Sequence, residues 1–185
     1  VIQVNPDWRK VLTSSSRYPG DLVSWVASRP EVTFYDIWDE TIDPTWLPYL
    51  ARVGGATRKQ QVMAACAVAR LCLPLIPEWE DRPRVAIETI EAWCRDEATA
   101  EQVREAASTL AAAADSNSSS YYASASAAAY YASTPAYSTS SAYYALRAGI
   151  EHQLICSTYR KHLVFERSPR PKGLTIWQRL AKEEE

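Results

Sequence analysis

Apolar side chains recur along the middle of this chain at three- and four-residue steps, the period of a helix with one buried face. The clearest run follows Gly54-Gly55, a pair that predicts the end of a preceding helix. Thr57-Arg58-Lys59-Gln60 then forms a capping box, in which the threonine hydroxyl and the glutamine side chain each satisfy a backbone N–H. Behind it Val62, Cys66, Ala69, Leu73 and Ile76 line one face, and Pro74 falls near the end, where it kinks or terminates the helix. A second stripe, Ala86, Ile87, Ile90, Trp93 and Cys94, follows Glu80-Asp81-Arg82-Pro83-Arg84, with Asp81 as the expected cap and proline in the first turn. Thr99-Ala100-Glu101-Gln102 is a second capping box. It precedes Val103, Ala106, Ala107, Leu110 and Ala114, a narrow face of small residues suited to close helix packing. Three caps in succession predict an all-α antiparallel helical array or bundle with short loops.

Before this array the pattern is shorter and more broken. Asn5-Pro6-Asp7 reads as a cap with proline at the first helical position, ahead of Trp8, Val11 and Leu12. Pro19-Gly20-Asp21 restarts a short helix carrying Leu22, Val23, Trp25 and Val26. Phe34, Ile37 and Trp38 fit a further helical face, although the segment has some strand character. Asp43-Pro44 is expected to cap another helix, with Trp46, Leu47 and Leu50 on one side. We therefore read residues 1–43 as a Trp-rich helical segment, 44–166 as an Ala-rich helical domain, and 167–185 as a linker and tail.

After the array the pattern changes. Residues 116–146 carry no charged side chain and hold seven of the eleven tyrosines among serines and alanines. Alanine favours helix and the tyrosines supply apolar area, so we expect helices here, not a linker. Ser133-Thr134-Pro135 marks the start of a new helix, giving one over about 118–132 and one over about 135–165. Tyr130, Tyr137 and Tyr144 are spaced by seven, which on one continuous helix forms a stripe drifting only about 20° per step. Such a face is either buried between helices or an interface, where tyrosine and serine make an adaptable binding surface. Pro169 and Pro171 mark the linker, and Leu174–Leu180 is a brief amphipathic piece.

Composition narrows the classes. Hydrophobic residues at 47% and charged residues at 23% are ordinary globular usage. A net charge of −2 gives no basic footprint for nucleic acid, and no apolar run approaches the roughly 20 residues of a membrane span. Cys66, Cys72, Cys94 and Cys156 form no CxxC pair and sit among apolar neighbours, as buried reduced thiols of a cytoplasmic protein do. Val1 in place of methionine leaves room for a leader. Five of the seven tryptophans (Trp8, Trp25, Trp38, Trp46 and Trp79) lie in the first 80 residues and are expected to build an N-terminal core.

Two stretches resemble a known family: Trp46-Leu47-Pro48-Tyr49-Leu50, and the run from Ala64 to about Ala114. The most specific part is Glu80-Asp81-Arg82-Pro83-Arg84, Ala86-Ile87-Glu88 and Glu91-Ala92-Trp93. This segment is similar to the Ala-rich, all-helical Imm-5-like immunity proteins encoded near polymorphic toxin systems, and to bacterial and phage proteins with the same helix start. The resemblance covers roughly residues 44–165. It implies a non-enzymatic protein that works by occupying a protein partner, a toxin or an assembly subunit, with homo-oligomerisation left open. In those proteins His and charged residues intersperse the alanines, where this chain has Ser and Tyr.

The residues themselves offer no catalytic constellation. There is no Gly-x-Ser-x-Gly elbow, phosphate-binding glycine loop or His-Glu-x-x-His, and no metal or cofactor is expected. His152 and His162 diverge by about 80° on a helix, too far for a convenient shared metal. Asp81, Arg82, Arg84 and Glu88 are expected to cap and pair, while Arg82 and Arg84 at a helix N-terminus also make a workable anion site. The candidate binding surface is therefore Arg82, Arg84, Tyr130, Tyr137 and Tyr144. Two readings stand beside partner occupation. One is a structural subunit of a phage particle or large assembly, located in the virion; the other is a small-ligand or nucleotide binder.

Overall fold

The computed structural model describes residues 1–115 and 140–166. The helices expected over 118–132, the helix start at Ser133–Pro135, the linker prolines and the piece at Leu174–Leu180 lie outside the described residues, as do Tyr130 and Tyr137. What is described is all-α: α1 (Trp8–Thr13), α2 (Gly20–Ala27), α3 (Phe34–Glu40), α4 (Leu47–Val53), α5 (Arg58–Arg70), α6 (Arg82–Cys94), α7 (Ala100–Asp115), α8 (Ser140–Arg147) and α9 (His152–His162), with a 3₁₀ turn at Leu73–Leu75. The one extended pairing among these residues is an isolated parallel bridge between Ile2 and Phe165.

The central element is α5. Its expected stripe of Val62, Cys66 and Ala69 is buried, and so are Ala64, Ala65 and Val68, so that most of the helix circumference is covered. Helices α4, α6, α8 and α9 all pack on it. Its small side chains let neighbouring backbones come close. On α8, Ser141 is fully buried and donates from Oγ to the carbonyl of Ala65 at 3.1 Å, an exit for a hydroxyl that would otherwise be stranded. Helix α7 packs on α6, with Val103 and Leu110 buried, and the two form a hairpin on the outer side.

Helix boundaries follow local chemistry. The boxes at Thr57/Gln60 and Thr99/Gln102 form as expected, and a third forms at Thr33/Asp36. Three helices end in the same way. After α4, α6 and α8 a residue turns left-handed (Gly55 at φ +101°, Asp96 at +65°, Gly149 at +83°) and the next N–H reaches back five residues, as in Ile150 to Ala145 at 3.1 Å.

The last of these corrects the expected continuous helix over 135–165. Leu146, Ile150 and Leu154 keep a helical period across the break, but Gly149 ends α8 and α9 begins at His152. Helix α4 starts later than Asp43-Pro44 suggested. The Asp43 carboxylate instead accepts from the backbone N–H and hydroxyl of Thr45, making a turn, and the helix opens at Leu47. Asn5-Pro6-Asp7 is likewise a turn, with Asp7 at the cap position and Trp8 the first helical residue.

The N-terminal helices are held to the body by an aromatic cluster and two arginines. Phe34 meets Trp8, Trp38 and Phe165 with ring centroids 5.4, 6.1 and 4.8 Å away. Arg9 donates to the carbonyls of Val26 and Val32, both at 2.7 Å, closing the C-terminal end of α2. Arg160 of α9 does the same at the end of α3, bridging the carbonyls of Trp38 and Thr41. Of the five early tryptophans, Trp8 and Trp38 are buried and Trp25 and Trp46 half-buried, as a core role requires; Trp79 is 74% exposed and belongs elsewhere.

Gly54 shows how tight the cluster is. A Cβ there would stand 2.7 Å from Phe34 Cε2 and 2.9 Å from Phe165 Cε1, closer than such contacts allow. Gly54→Ala is accordingly expected to destabilise the fold by about 1–3 kcal/mol, read as a lower urea midpoint with an unchanged slope. An unchanged midpoint would show that the rings move aside freely.

Candidate functional site

The site is built where helix formation stops. Beyond α5, Pro74 cannot donate a helical hydrogen bond, and the chain tightens into the 3₁₀ turn before Pro77 takes it out of the helix altogether. Cys72 and Ile76 remain in the core and anchor this loop, while Leu75 and Trp79 point outward. The loop closes through the N–H of Glu80 donating to the carbonyl of Pro77 at 2.9 Å.

Glu80 is the unexpected residue. It is buried, and its carboxylate takes a bidentate grip on the Arg82 guanidinium while also accepting the Arg82 backbone N–H at 3.2 Å. A buried carboxylate is tolerable only with such compensation, and charge-assisted bidentate pairing supplies it. Asp81, the expected cap, sits at the N-cap position but makes no side-chain cap bond; Glu80 satisfies the first-turn N–H in its place. The loop exit and the start of α6 are thereby locked together.

Next to this exit, α6 and α7 enclose a groove of about 390 Å³. Asp81, Arg82 and Val85 line it from α6, and Gln102, Glu105 and Thr109 from α7. Val85 is 48% exposed in the groove wall, and with Leu75 and Trp79 it makes three large apolar side chains left uncovered within eleven residues of sequence.

The structure distributes the expected surface residues over separate helices. Arg82 lines the groove with its guanidinium on Glu80, and Arg84 is exposed one turn into α6. Tyr144 lies on α8, half-buried against the core, its ring edge-on to Tyr143 at 5.2 Å. His152 and His162 occupy the two ends of α9, about 15 Å apart by helical rise. Partial burial, with Lys161 beside it, lowers the His162 pKa. No group of three or more His, Cys, Asp or Glu side chains able to hold a metal occurs among the described residues. Trp79 was missed as a surface residue, yet the sequence carries a signal for it. It lies between two prolines and a helix cap, outside every apolar stripe, so no helical face demands its burial.

Residues 55–180 match the Imm-5 like putative immunity protein family. The chain belongs to that family. The match takes in the anchored loop, the groove helices and the α8–α9 pair, and leaves out the three N-terminal helices and α4. No curated protein sequence and no solved structure gives a significant match. Among the described residues of this Imm-5 like chain, no helix is long and apolar enough to cross a membrane.

Of the four cysteine thiols, Cys66, Cys72 and Cys156 are buried in the core and Cys94 is partly buried against it. Burial pushes the Cys72 thiol up to about 12 and Cys94 to about 11, and raises Cys66 and Cys156 as well. Raised native values mean that the thiol form is favoured by folding, so their contribution is intact below the unfolded-chain value of about 8.5 and is lost as pH rises towards the native values. The urea midpoint should therefore hold steady to pH 8 and decline between pH 9 and 10. Replacing Cys66 and Cys72 by alanine should flatten that decline, and an unaltered decline would assign it to other groups.

Tyr159 is fully buried on α9, and its hydroxyl has no hydrogen-bond partner among the described residues. An unmade buried hydrogen bond costs about 1–3 kcal/mol. Tyr159→Phe is expected to leave stability unchanged or raise it by up to about 2 kcal/mol, measured by thermal and urea unfolding; a clear loss would reveal a partner for the hydroxyl.

Proposed function

We propose that this Imm-5 like chain is a non-enzymatic, immunity-type protein that acts by occupying a protein partner through the Leu75–Trp79 loop and the adjoining α6/α7 groove. One observation carries the reading. Inside the family segment, a tryptophan is left 74% exposed on a loop that is itself anchored in the core by Cys72 and Ile76 and locked by the Glu80–Arg82 pair. Exposed aromatic side chains on rigid supports are the usual energetic centres of protein interfaces, because little freedom remains to be lost on binding. The partner in this reading is a protein toxin, the kind of partner that an immunity protein of this family implies.

Two observations favour this over the alternatives. A nucleotide site on Arg82 and Arg84 would need the Arg82 guanidinium, which Glu80 engages. A structural subunit reaching neighbours with its N-terminal segment would need that segment loose. Here Ile2 donates to Val164 at 2.8 Å, and the Phe34 ring cluster ties α3 to the body.

The test is reconstitution with the purified, inactivated product of the adjacent gene. A stable complex is expected, together with protection of cells that co-express both chains. Trp79→Ala should weaken the complex about 30-fold or more, the effect of removing an interface hot spot worth at least about 2 kcal/mol, with the melting temperature of the free chain unchanged. Absence of a complex would refute the reading, and a complex indifferent to Trp79 would move the interface elsewhere.

A further inference from the structure

Charge is distributed unevenly along this chain, and the imbalance centres on the groove. Residues 78–105, which run from the loop through α6 into α7, hold nine carboxylates against four arginines, a net charge of −5, where the whole chain carries −2. Pairing does not cancel this excess. Glu80 is engaged by Arg82, Glu97 by Arg95 and Glu101 by Arg104, while Arg70 and Lys59 reach over from α5 to Glu91 and Asp96. Glu78, Asp81, Glu88 and Glu105 are left without an ion pair among the described residues, against the single exposed Arg84.

The placement of these four matters more than their number. Asp81 lines the groove from the N-cap of α6 and Glu105 lines it from α7, so the concave surface has a carboxylate on each wall. Glu78 is the immediate neighbour of the exposed Trp79, and Glu88 lies one turn beyond Val85. An exposed apolar anchor thus adjoins, in sequence, a groove with a carboxylate on each wall and no cation paired to either among the described residues. A partner with acidic or neutral side chains opposite it would meet like-charge repulsion or leave these carboxylates desolvated and unpaired, and either outcome costs affinity.

We infer that the occupant of the groove is a basic protein face, one that presents lysine or arginine side chains around an apolar pocket for Trp79. This deepens the partner-occupation reading and rests on it. The carboxylates supply long-range attraction and register, while Trp79 supplies buried area. Because the carboxylates are exposed, their contribution is screened by salt over a distance of about 10 Å at 0.1 M ionic strength.

The experiment uses the full chain and the inactivated product of the adjacent gene, with association rate and affinity measured at 50 and 500 mM NaCl. The double variant Asp81→Asn/Glu105→Gln is compared with Glu31→Gln, an exposed carboxylate outside the groove. At 50 mM the double variant should associate about five- to tenfold more slowly than the parent, and at 500 mM the two should converge. Glu31→Gln should behave as the parent at both. Unchanged melting temperatures establish that the variants are folded, and Asp81→Asn alone, showing a smaller slowing, covers a double variant that is not. A complex that forms equally well at both salt concentrations and is indifferent to these substitutions overturns the basic-face assignment alone. No complex at either concentration overturns the partner-occupation reading beneath it.

Discussion

Everything in this fold depends on the surface of α5 being small. Ala64, Ala65, Val68 and Ala69 are fully buried or nearly so, and they leave room for four other helices to approach one 13-residue rod. A larger residue at any of these positions would push a neighbour outward, because a close-packed interior has no spare volume. The Ser141 hydroxyl shows the distance involved: a buried side chain of α8 reaches the main-chain carbonyl of Ala65. With α5 enclosed, α6 occupies one side and carries α7 outside it, while α8 and α9 take another. The groove and the Trp79 loop are consequences of that arrangement, since the loop is the connection between α5 and α6.

The N-terminal helices add a second layer of constraint by a different means. They are only six to eight residues long, too short to be stable alone, and must be fixed from outside. Arg9 and Arg160 do this by donating to carbonyls at the ends of α2 and α3, groups that would otherwise face a crowded surface without donors. Phe165, from the far end of the described residues, and Gly54, at the end of α4, complete the arrangement. The ring of Phe165 can sit against Phe34 only because Gly54 has no side chain, and the Ile2–Phe165 bridge then joins the two ends of the described structure.

The features legible in the sequence are those governed by neighbours in sequence. Val62, Cys66 and Ala69 declare a buried face by spacing; Thr57 and Thr99 declare helix starts because their partners lie three residues away; Gly55 declares an end because its backbone angle excludes most other residues. Gly149 illustrates the limit. The apolar period continues across it through Leu146, Ile150 and Leu154, and the break exists because α8 and α9 must each lie against α5. Glu80 is a second case. A glutamate beside an aspartate before a proline-bearing helix start suggests the aspartate as cap, and only the burial of the loop makes the Glu80–Arg82 pair the dominant interaction. The Thr33 box escaped notice because its acidic partner is Asp36, and the surrounding β-branched and aromatic residues look strand-like.

Why the exposed tryptophan stands on this loop follows from the same physics. A helix in an array spends its apolar face on its neighbours and shows water a polar one, so a large uncovered aromatic has no natural place on it. A loop escapes that division but is ordinarily mobile, and a mobile anchor loses entropy when it binds. Here both problems are met by contacts within the chain itself. Cys72 and Ile76 fasten the loop to the core from below, Pro74 and Pro77 restrict its backbone, and Glu80 fastens its exit to Arg82. The half-buried ion pair, a doubtful contributor to stability by itself, makes sense as a positional device that fastens the loop carrying Trp79 to the start of α6.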